Sequence, residues 1–412
     1  MSKIDKLIDE LCPKVMEFKE LRELTVWDKR FNGVSKEKQT KVLSFRHVSA
    51  KKLKDLETPN GCVKLLSTGQ FNGWTNEDLA RENLNNGEVI AIPSGGSANL
   101  KYYKGMFVDS GNILASSFNH KILNLKYCYY YLLVKNDYIE NCFRGSGVKH
   151  PDMAKILSIK IPLPPIVIQE KIVEILDSFT ELKAELEKEL KKELEDRKKQ
   201  YKHYRDEMFN IKDVEHKTLG ELGTFFRGKR FVKSDIVAKG VPCIHYGEMY
   251  THYNIWARES KSFLEPSLAK KLRVAHPGDV IIVAAGETIE DIGRGVAWLG
   301  DSDIVTHDAC FTFVHNLDPK YVSYFLQTKN FHSQIEQYIS SGKISSINAS
   351  GLKKAIIPVP PIKIQQEIVK NLDKLDLLMN DISLGLAAEV SARRSQYEYY
   401  REKLLTFNKY VD

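Results

Sequence analysis

The sequence predicts an α+β protein in which two globular domains of mixed strand and helix are joined by two long helices forming an antiparallel coiled coil, a pseudo-two-fold tandem duplication. Three observations predict it. First, IPLPPIVIQEKIV at 161–173 recurs as IPVPPIKIQQEIV at 357–369, and RKKQYKHYR at 197–205 recurs as RRSQYEYYR at 393–401. Both pairs stand 196 residues apart, so 161–209 and 357–405 are gap-free copies of one element. Second, each copy carries a long helical periodicity. Third, weaker echoes fill the rest in the same order: GEVIAIPSG at 87–95 with GDVIIVAAG at 278–286, KYCYYYL at 126–132 with KYVSYFL at 320–326, and KELREL at 19–24 with KTLGEL at 217–222.

Each long helix announces its start. A double proline (Pro164 and Pro165; Pro360 and Pro361) suits the approach and first turn of a helix but not its interior, and no proline follows in either segment. In the first copy Leu176, Phe179, Leu182, Leu186, Leu190 and Leu194 fall at spacings of three and four; Leu372, Leu375, Leu378, Ile382, Leu386 and Val390 take the same positions in the second. Charged residues occupy the other faces, so each stripe is a seam that seeks a partner helix and finds one in the other copy. About forty residues at 1.5 Å each give a rod of roughly 60 Å. The expected division is a globular domain over 1–160, a helical spacer over 161–212, a second globular domain over 213–356 and a second spacer over 357–412. Short β-rich runs punctuated by Gly, Asn and Pro, with aromatic helical turns at 126–140 and 320–339, describe the globular parts.

Composition narrows the function classes. With 412 residues, 42% of them hydrophobic, the chain suits two or more cores. No apolar run reaches the length of a membrane span, and 1–10 alternates charged with apolar residues instead of forming a signal peptide, so a cytoplasmic location is expected. The six cysteines (Cys12, Cys62, Cys128, Cys142, Cys243, Cys310) lack CxxC spacing and read as reduced core thiols, with no metal site expected. A net charge of +7 is compatible with nucleic acid without demanding it.

A duplicated globular module alternating with helices introduced by I-P-x-P-P-I-x-I-Q-x-x-I-V resembles the specificity subunits of type I restriction–modification systems over essentially the whole chain. The residues that carry the resemblance are Pro164, Pro165 and Gln169, Pro360, Pro361 and Gln365, and the small-residue loops Gly145-Ser146-Gly147 and Ser341-Gly342. The resemblance implies that each globular part is a target recognition domain reading one half of an interrupted sequence in double-stranded DNA. It implies paired helices that set the gap between half-sites and carry two adenine methyltransferase (modification) subunits, with restriction/translocation subunits as further partners. S-adenosylmethionine would then belong to the methyltransferase subunits, and this chain would hold no cofactor, no small-molecule substrate and no catalytic centre. Recognition domains vary between members, so individual base contacts do not carry over.

Candidate DNA contacts come from the residues. In GTFFRGKRFVK (223–233), Arg227, Lys229, Arg230 and Lys233 surround a glycine turn, suited to phosphates or to guanine edges, or else a solvated turn. Its GxxxxGK string mimics a phosphate-binding loop, but Arg230 stands where a magnesium-binding Ser or Thr is required. His245, Tyr246, Tyr250, His252 and Tyr253 form a polar aromatic cluster, for base edges or for packing within the domain. The loops after two equivalent strands offer Ser94, Gly95, Gly96, Ser97, Asn99, Lys101, Tyr102 and Lys104 in the first half and Arg294 in the second. Arg144 with Lys149, and Lys343, are candidate phosphate clamps or plain turns. The basic run Lys36, Lys38, Lys41 and Arg46 reads as a solvated face.

Rival classes are weaker. Pro151-Asp152 with Glu181-Leu182-Lys183 formally fits a nuclease pattern, yet Glu181 and Lys183 fall on the charged helix face, whereas metal-dependent cleavage needs carboxylates gathered in a sheltered pocket. No glycine-rich cofactor loop and no N/D-P-P-Y/F motif supports methyl transfer. A coiled-coil adaptor that binds protein alone is the remaining alternative.

Overall fold

A computed structural model describes residues 16–342 and 344–407. It divides into two units, Met1–Lys188 with Glu389–Asp412, and Glu189–Ala388. Each unit therefore holds one globular domain, the leading half of the long helix that follows it, and the trailing half of the other long helix.

In the first unit a six-stranded sheet runs in the order Thr25–Trp27, Asn112–Ser117, Asn85–Pro93, Lys101–Asp109, Val63–Leu66, Asn72–Thr75. The second unit repeats the first five places as Gly223–Arg227, Cys310–His315, Val280–Val283, Gly295–Trp298, Trp256–Ala257. In both, the fourth and fifth strands of that order are parallel and the rest antiparallel. The third strand of each order is buried on both faces over Val89 to Pro93 and Val280 to Val283, which is why the strings VIAIP and VIIV are continuous apolar runs without alternation. The second unit adds a five-stranded sheet, Ile236–Val237, Ser262–Leu264, Val241–Ile244, Ile304–Thr306, Val274–Ala275.

The other echoes are joints between domain and helix. KELREL and KTLGEL each form a short strand and one helical turn closed by a capping box, Glu20 with Glu23 and Thr218 with Glu221. Those strands pair with the residues just before each long helix: Phe18–Glu20 with Lys160–Pro162, and Glu215–Thr218 with Ile356–Val359. The helices themselves are Ile166–Glu207 and Ile362–Leu404. The first residues of each repeated segment are strand, and the double prolines separate strand from helix.

The tyrosine-rich echoes are helices Leu125–Val134 and Pro319–Phe325 lying against the long helices. Lys126 Nζ and Tyr130 Oη both reach Asp177, at 2.7 and 2.6 Å, and Tyr127 Oη donates to the Pro162 carbonyl at 3.1 Å. Lys320, Tyr324 and Tyr321 repeat those bonds to Asp373 and Pro358 at 2.7, 2.9 and 2.9 Å.

Within each unit the helix halves run antiparallel. In the first, Tyr397 meets Thr180 (3.1 Å), and Arg394 pairs with Glu187 (2.8 Å), so numbering falls on one helix as it rises on the other. In the second, Tyr201 Oη donates to Asp376 at 3.3 Å, the repeat-equivalent of the Tyr397–Thr180 contact. Each helix tail ends in a core: Leu404 and Leu405 in the first unit's, and Phe209 in the second's, its ring 4.9 Å from that of Tyr321.

Burial along the expected stripe departs at one equivalent position, and its first residues, Leu176 and Leu372, join the domain cores. Leu176 and Leu372 are fully buried, and Phe179, Leu186, Leu190, Leu194, Leu375, Ile382, Leu386 and Val390 are half-buried. Leu182 and Leu378, by contrast, are 61% and 56% exposed. A seven-residue repeat continued from Leu176 and Phe179 lands on Lys183, and from Leu372 and Leu375 on Met379; both are half-buried, with Lys183 Nζ 5.1 Å from the centre of the Tyr397 ring. Spacing of three and four alone does not distinguish the in-phase residue from a leucine one place off.

Candidate nucleic-acid interface

Two loops that lie far apart in sequence meet in each unit, at equivalent places. In the first, Lys101–Asp109 returns antiparallel to Asn85–Pro93, and the turn between them sits against the hairpin of Phe143–Arg144 with His150–Pro151. His150 Nδ1 bonds the Ser94 carbonyl at 2.6 Å, and the Gly96 amide donates to the Lys149 carbonyl at 2.8 Å. At Gly95 a Cβ would stand 2.9 Å from a Val148 methyl, so any larger residue would displace that side chain. In the second unit Ala285–Gly286 pairs antiparallel with Ser345–Ser346, and the Ile347 amide donates to the Ala284 carbonyl at 2.9 Å. A Cβ on Gly286 would lie 2.7 Å from Tyr250 Oη.

The second unit's meeting point is a cleft of about 740 Å³ lined by Arg230, Lys233, His245, Tyr246, Gly286, His307 and Ile344 among others. Its floor is a ring cluster. His245 and His307 lie 4.9 Å apart, Tyr246 stands 4.6 and 5.1 Å from them, and the buried Phe231 meets His307 edge-on at 5.0 Å. His307 Nε2 bonds the Phe231 carbonyl at 3.0 Å, while the Ala309 amide donates to Nδ1 at 3.1 Å. Burial lowers the pKa of both His245 and His307, so the floor is neutral and aromatic beneath a rim of mixed charge, Arg230 and Lys233 with Glu287 and Asp308.

The remaining predicted residues sort by what they already hold. Arg227 Nε donates to the Asp308 carbonyl and Lys229 Nζ to that of Lys271, each at 2.8 Å, so both fasten the rim. Tyr250 lies beneath the Ala285–Gly286 strand, its hydroxyl 3.4 Å from the Ala285 carbonyl. Tyr253 is a correction: it is buried in the core, and its hydroxyl accepts the Lys261 amide at 2.8 Å. Arg294 is half-buried with Nη2 on the Tyr253 carbonyl at 3.3 Å, which makes it a brace of the second loop. His252 is exposed. In the first unit Lys101 is not a surface donor: Nζ bonds the Ser67 carbonyl and, at 2.6 Å, the Gly69 carbonyl, and burial lowers its pKa. Asn99 Nδ2 secures the same Gly69 carbonyl at 2.8 Å, and Tyr102 Oη donates to Glu88 at 2.7 Å. Ser97, Lys104, Arg144 and Lys149 are exposed, and Ser94 and Gly95 half-buried. Lys343 lies outside the described residues, as do Cys12 and the side chain of Lys38.

Sequence reasoning missed His307, which joins its cleft only through folding. It also missed Trp74, exposed on an edge strand, with Lys64 Nζ 4.3 Å from its ring centre and Tyr103 edge-on at 6.2 Å. Neither lies in a string that short-range spacing could single out.

Comparison with known proteins places this architecture. The family described as "Type I restriction modification DNA specificity domain" matches residues 43–196 and again 211–392. The chain belongs to that family. Similar proteins include a putative type I restriction enzyme specificity subunit of Haemophilus influenzae, 32% identical over 81% of this chain and 86% of that one. The EcoR124I/EcoR124II specificity subunit of Escherichia coli is 30% identical over 99% of this chain and 98% of that one. Among solved structures, a chain from a study of type I restriction–modification complex assembly and conformational transition superposes with a TM-score of 0.67 at 15% identity, covering 96% of this chain and 98% of that one. The HsdS subunit of Thermoanaerobacter tengcongensis gives 0.51 at 15% identity, covering 96% and 97%. At such identities the structures support the shared fold. Among the described residues no helix is long and apolar enough to cross a membrane.

Proposed function

We propose that this chain is the DNA-reading subunit of a type I restriction–modification enzyme, each globular domain recognising one half of a bipartite, asymmetric duplex target. The observation that carries the reading is the repetition of one device: in both units a glycine-bearing loop after the central strand is braced against a small-residue hairpin, beside exposed cations. Glycines allow close backbone approach to a duplex, and exposed Arg144 and Lys149 in one unit, Arg230 and Lys233 in the other, supply phosphate or guanine contacts. Trp74 under Lys64 offers a rigid face for sugar or base edges in the first domain. Because the loops differ in sequence, the half-sites differ.

In this reading the paired helices set the distance between half-sites and dock two methyltransferase subunits, which bring S-adenosylmethionine, with restriction/translocation subunits completing the enzyme in the cytoplasm. In this reading the chain is non-catalytic, supported by the placement of the formal nuclease residues: Asp152 caps a short helix through the Lys155 amide, Glu181 stands exposed on the long helix, and Lys183 turns to the Tyr397 ring. Adenine-methylation mapping in cells with and without the gene tests the reading. A split adenine motif should vanish with the gene, and exchanging 217–355 for those residues of a relative should alter one half of it. Change in both halves overturns modular recognition.

A further inference from the structure

The two hairpins that brace the glycine loops each hold one apolar side chain out in solvent. Val148 is 67% exposed and Ile344 63% exposed. They stand 196 residues apart, at the same place in the repeat, in the strings GSGVKH (145–150) and SGKISS (341–346). A single exposed apolar side chain is common on protein surfaces; here one recurs at the same place of the repeat in two domains whose surrounding sequence has diverged. The first hairpin fixes the place of Val148. Gly145 has φ of +146°, a Cβ there would lie 3.0 Å from the Val148 carbonyl, and Gly95 leaves room for the Val148 methyl above the neighbouring loop. Ile344 stands in the lining of the cleft that also exposes Arg230 and Lys233.

Resting on the DNA-reading function above, we infer that Val148 and Ile344 are a pair of equivalent apolar groove contacts, one per half-site, which the hairpins present to base edges of duplex DNA while the flanking cations hold the backbone. Arg144, Lys149, Arg230 and Lys233 are exposed and form no salt bridge among the described residues; Glu287 and Asp308 also line the second cleft, so a polyanion would engage these four cations at the rims and not the cleft as a whole. An aliphatic tip has no hydrogen bond to offer phosphate. What it can meet is the methyl of thymine in the major groove, or the stack itself as a wedge at a base step. Either contact adds discrimination that the cations cannot supply.

The test uses the full chain assembled with its methyltransferase, with Val148→Ser and Ile344→Ser each compared with wild type on target duplex and on random duplex across a salt series. Each variant should weaken target binding by about tenfold, with random-sequence binding and the slope of log affinity against log salt unchanged, since no counterion-releasing contact is lost. Each should act through one half-site, so that altering the bases of that half in the duplex masks the substitution. Replacing thymine by uracil base by base, and placing 2-aminopurine at each step, separates the two modes. A uracil that mimics the serine variant identifies a methyl contact; 2-aminopurine fluorescence that rises with wild type alone identifies a wedge. Equal target binding by wild type and both variants overturns the inference while leaving the DNA-reading function standing. Absence of salt-dependent duplex binding by wild type overturns that function first.

Discussion

The side-chain carbonyl of Gln169 accepts the backbone amide of Asn124 at 2.9 Å, and Asn124 in turn caps the tyrosine-rich helix of the first domain. The Gln169 amide group donates to the Ile122 and Pro164 carbonyls at 2.8 Å each. Gln365 repeats the device, accepting the Asp318 amide at 2.9 Å and donating to the Pro360 carbonyl at 2.8 Å. Both glutamines are buried, so the proline–glutamine motif is a joint that locks the start of each long helix to the cap of a domain helix. Gln169→Ala leaves one amide and two carbonyls without their partners, and should cost about 2–4 kcal/mol, read as a lower denaturant midpoint. Gln365→Ala should cost somewhat less, because one donated bond fewer is lost.

The seam offers a second check. Leu176→Ala and Leu372→Ala empty buried sites and should cost about 2–5 kcal/mol. Leu182→Gln and Leu378→Gln, at exposed sites, should change stability by less than about 0.5 kcal/mol. Chemical denaturation of the four variants compares them directly. A large loss at Leu182 would return that residue to the seam and refute the heptad phase through Lys183.

How much of this was legible beforehand follows from the range of the forces involved. The duplication, the double-proline boundaries and most of the seam were readable because they are local patterns. The apolar strings of the central strands were readable because burial on both faces permits nothing else. The joints were visible as echoes without a role: Lys126 and Tyr130 could be seen to recur as Lys320 and Tyr324, but the aspartates they meet, Asp177 and Asp373, lie about fifty residues away and looked like ordinary charged-face residues. The interface was least legible. Lys101, Tyr253 and Arg294 have the side chains of DNA contacts, and only their long-range partners show that they brace loops or fill the core. His307 and Trp74 gain a setting only from the fold.

That sorting predicts a division among cations. Arg230→Ala and Lys233→Ala should weaken duplex binding across sequences and reduce the salt slope by about one each, with stability unchanged within about 0.5 kcal/mol. Arg294→Ala should lower stability first, because it removes the bond to the Tyr253 carbonyl from a half-buried site. Binding isotherms at three salt concentrations beside melting curves separate the two groups. An unchanged slope for Arg230→Ala would remove that residue from the interface.

The first unit also carries a pH dependence of definite sign. His47 lies between two buried carboxylates, Nδ1 at 2.7 Å from Asp109 and Nε2 at 3.2 Å from Asp28. The hydrogen bonds to Asp109 and then Asp28 raise its pKa from 6.5 to about 9 against the opposing effect of burial. Folding therefore tightens proton binding, and the stabilisation is complete below about pH 6.5, fades through the interval above it and is lost past pH 9. For a ring that remains about a third exposed, solvent screening reduces the effect to roughly 1–2 kcal/mol. His245, His307, His315 and His332 are shifted the opposite way by burial and act only on the acid side of that window. The buried thiols of Cys128, Cys243 and Cys310, pushed up to about 12, add a loss only above the ordinary thiol value of 9. Unfolding measured between pH 6.5 and 9 should show a decline that His47→Gln greatly reduces, the remainder coming from the exposed His276, whose pKa the hydrogen bond to Asp303 also raises; a decline of equal size in the variant would place its origin elsewhere.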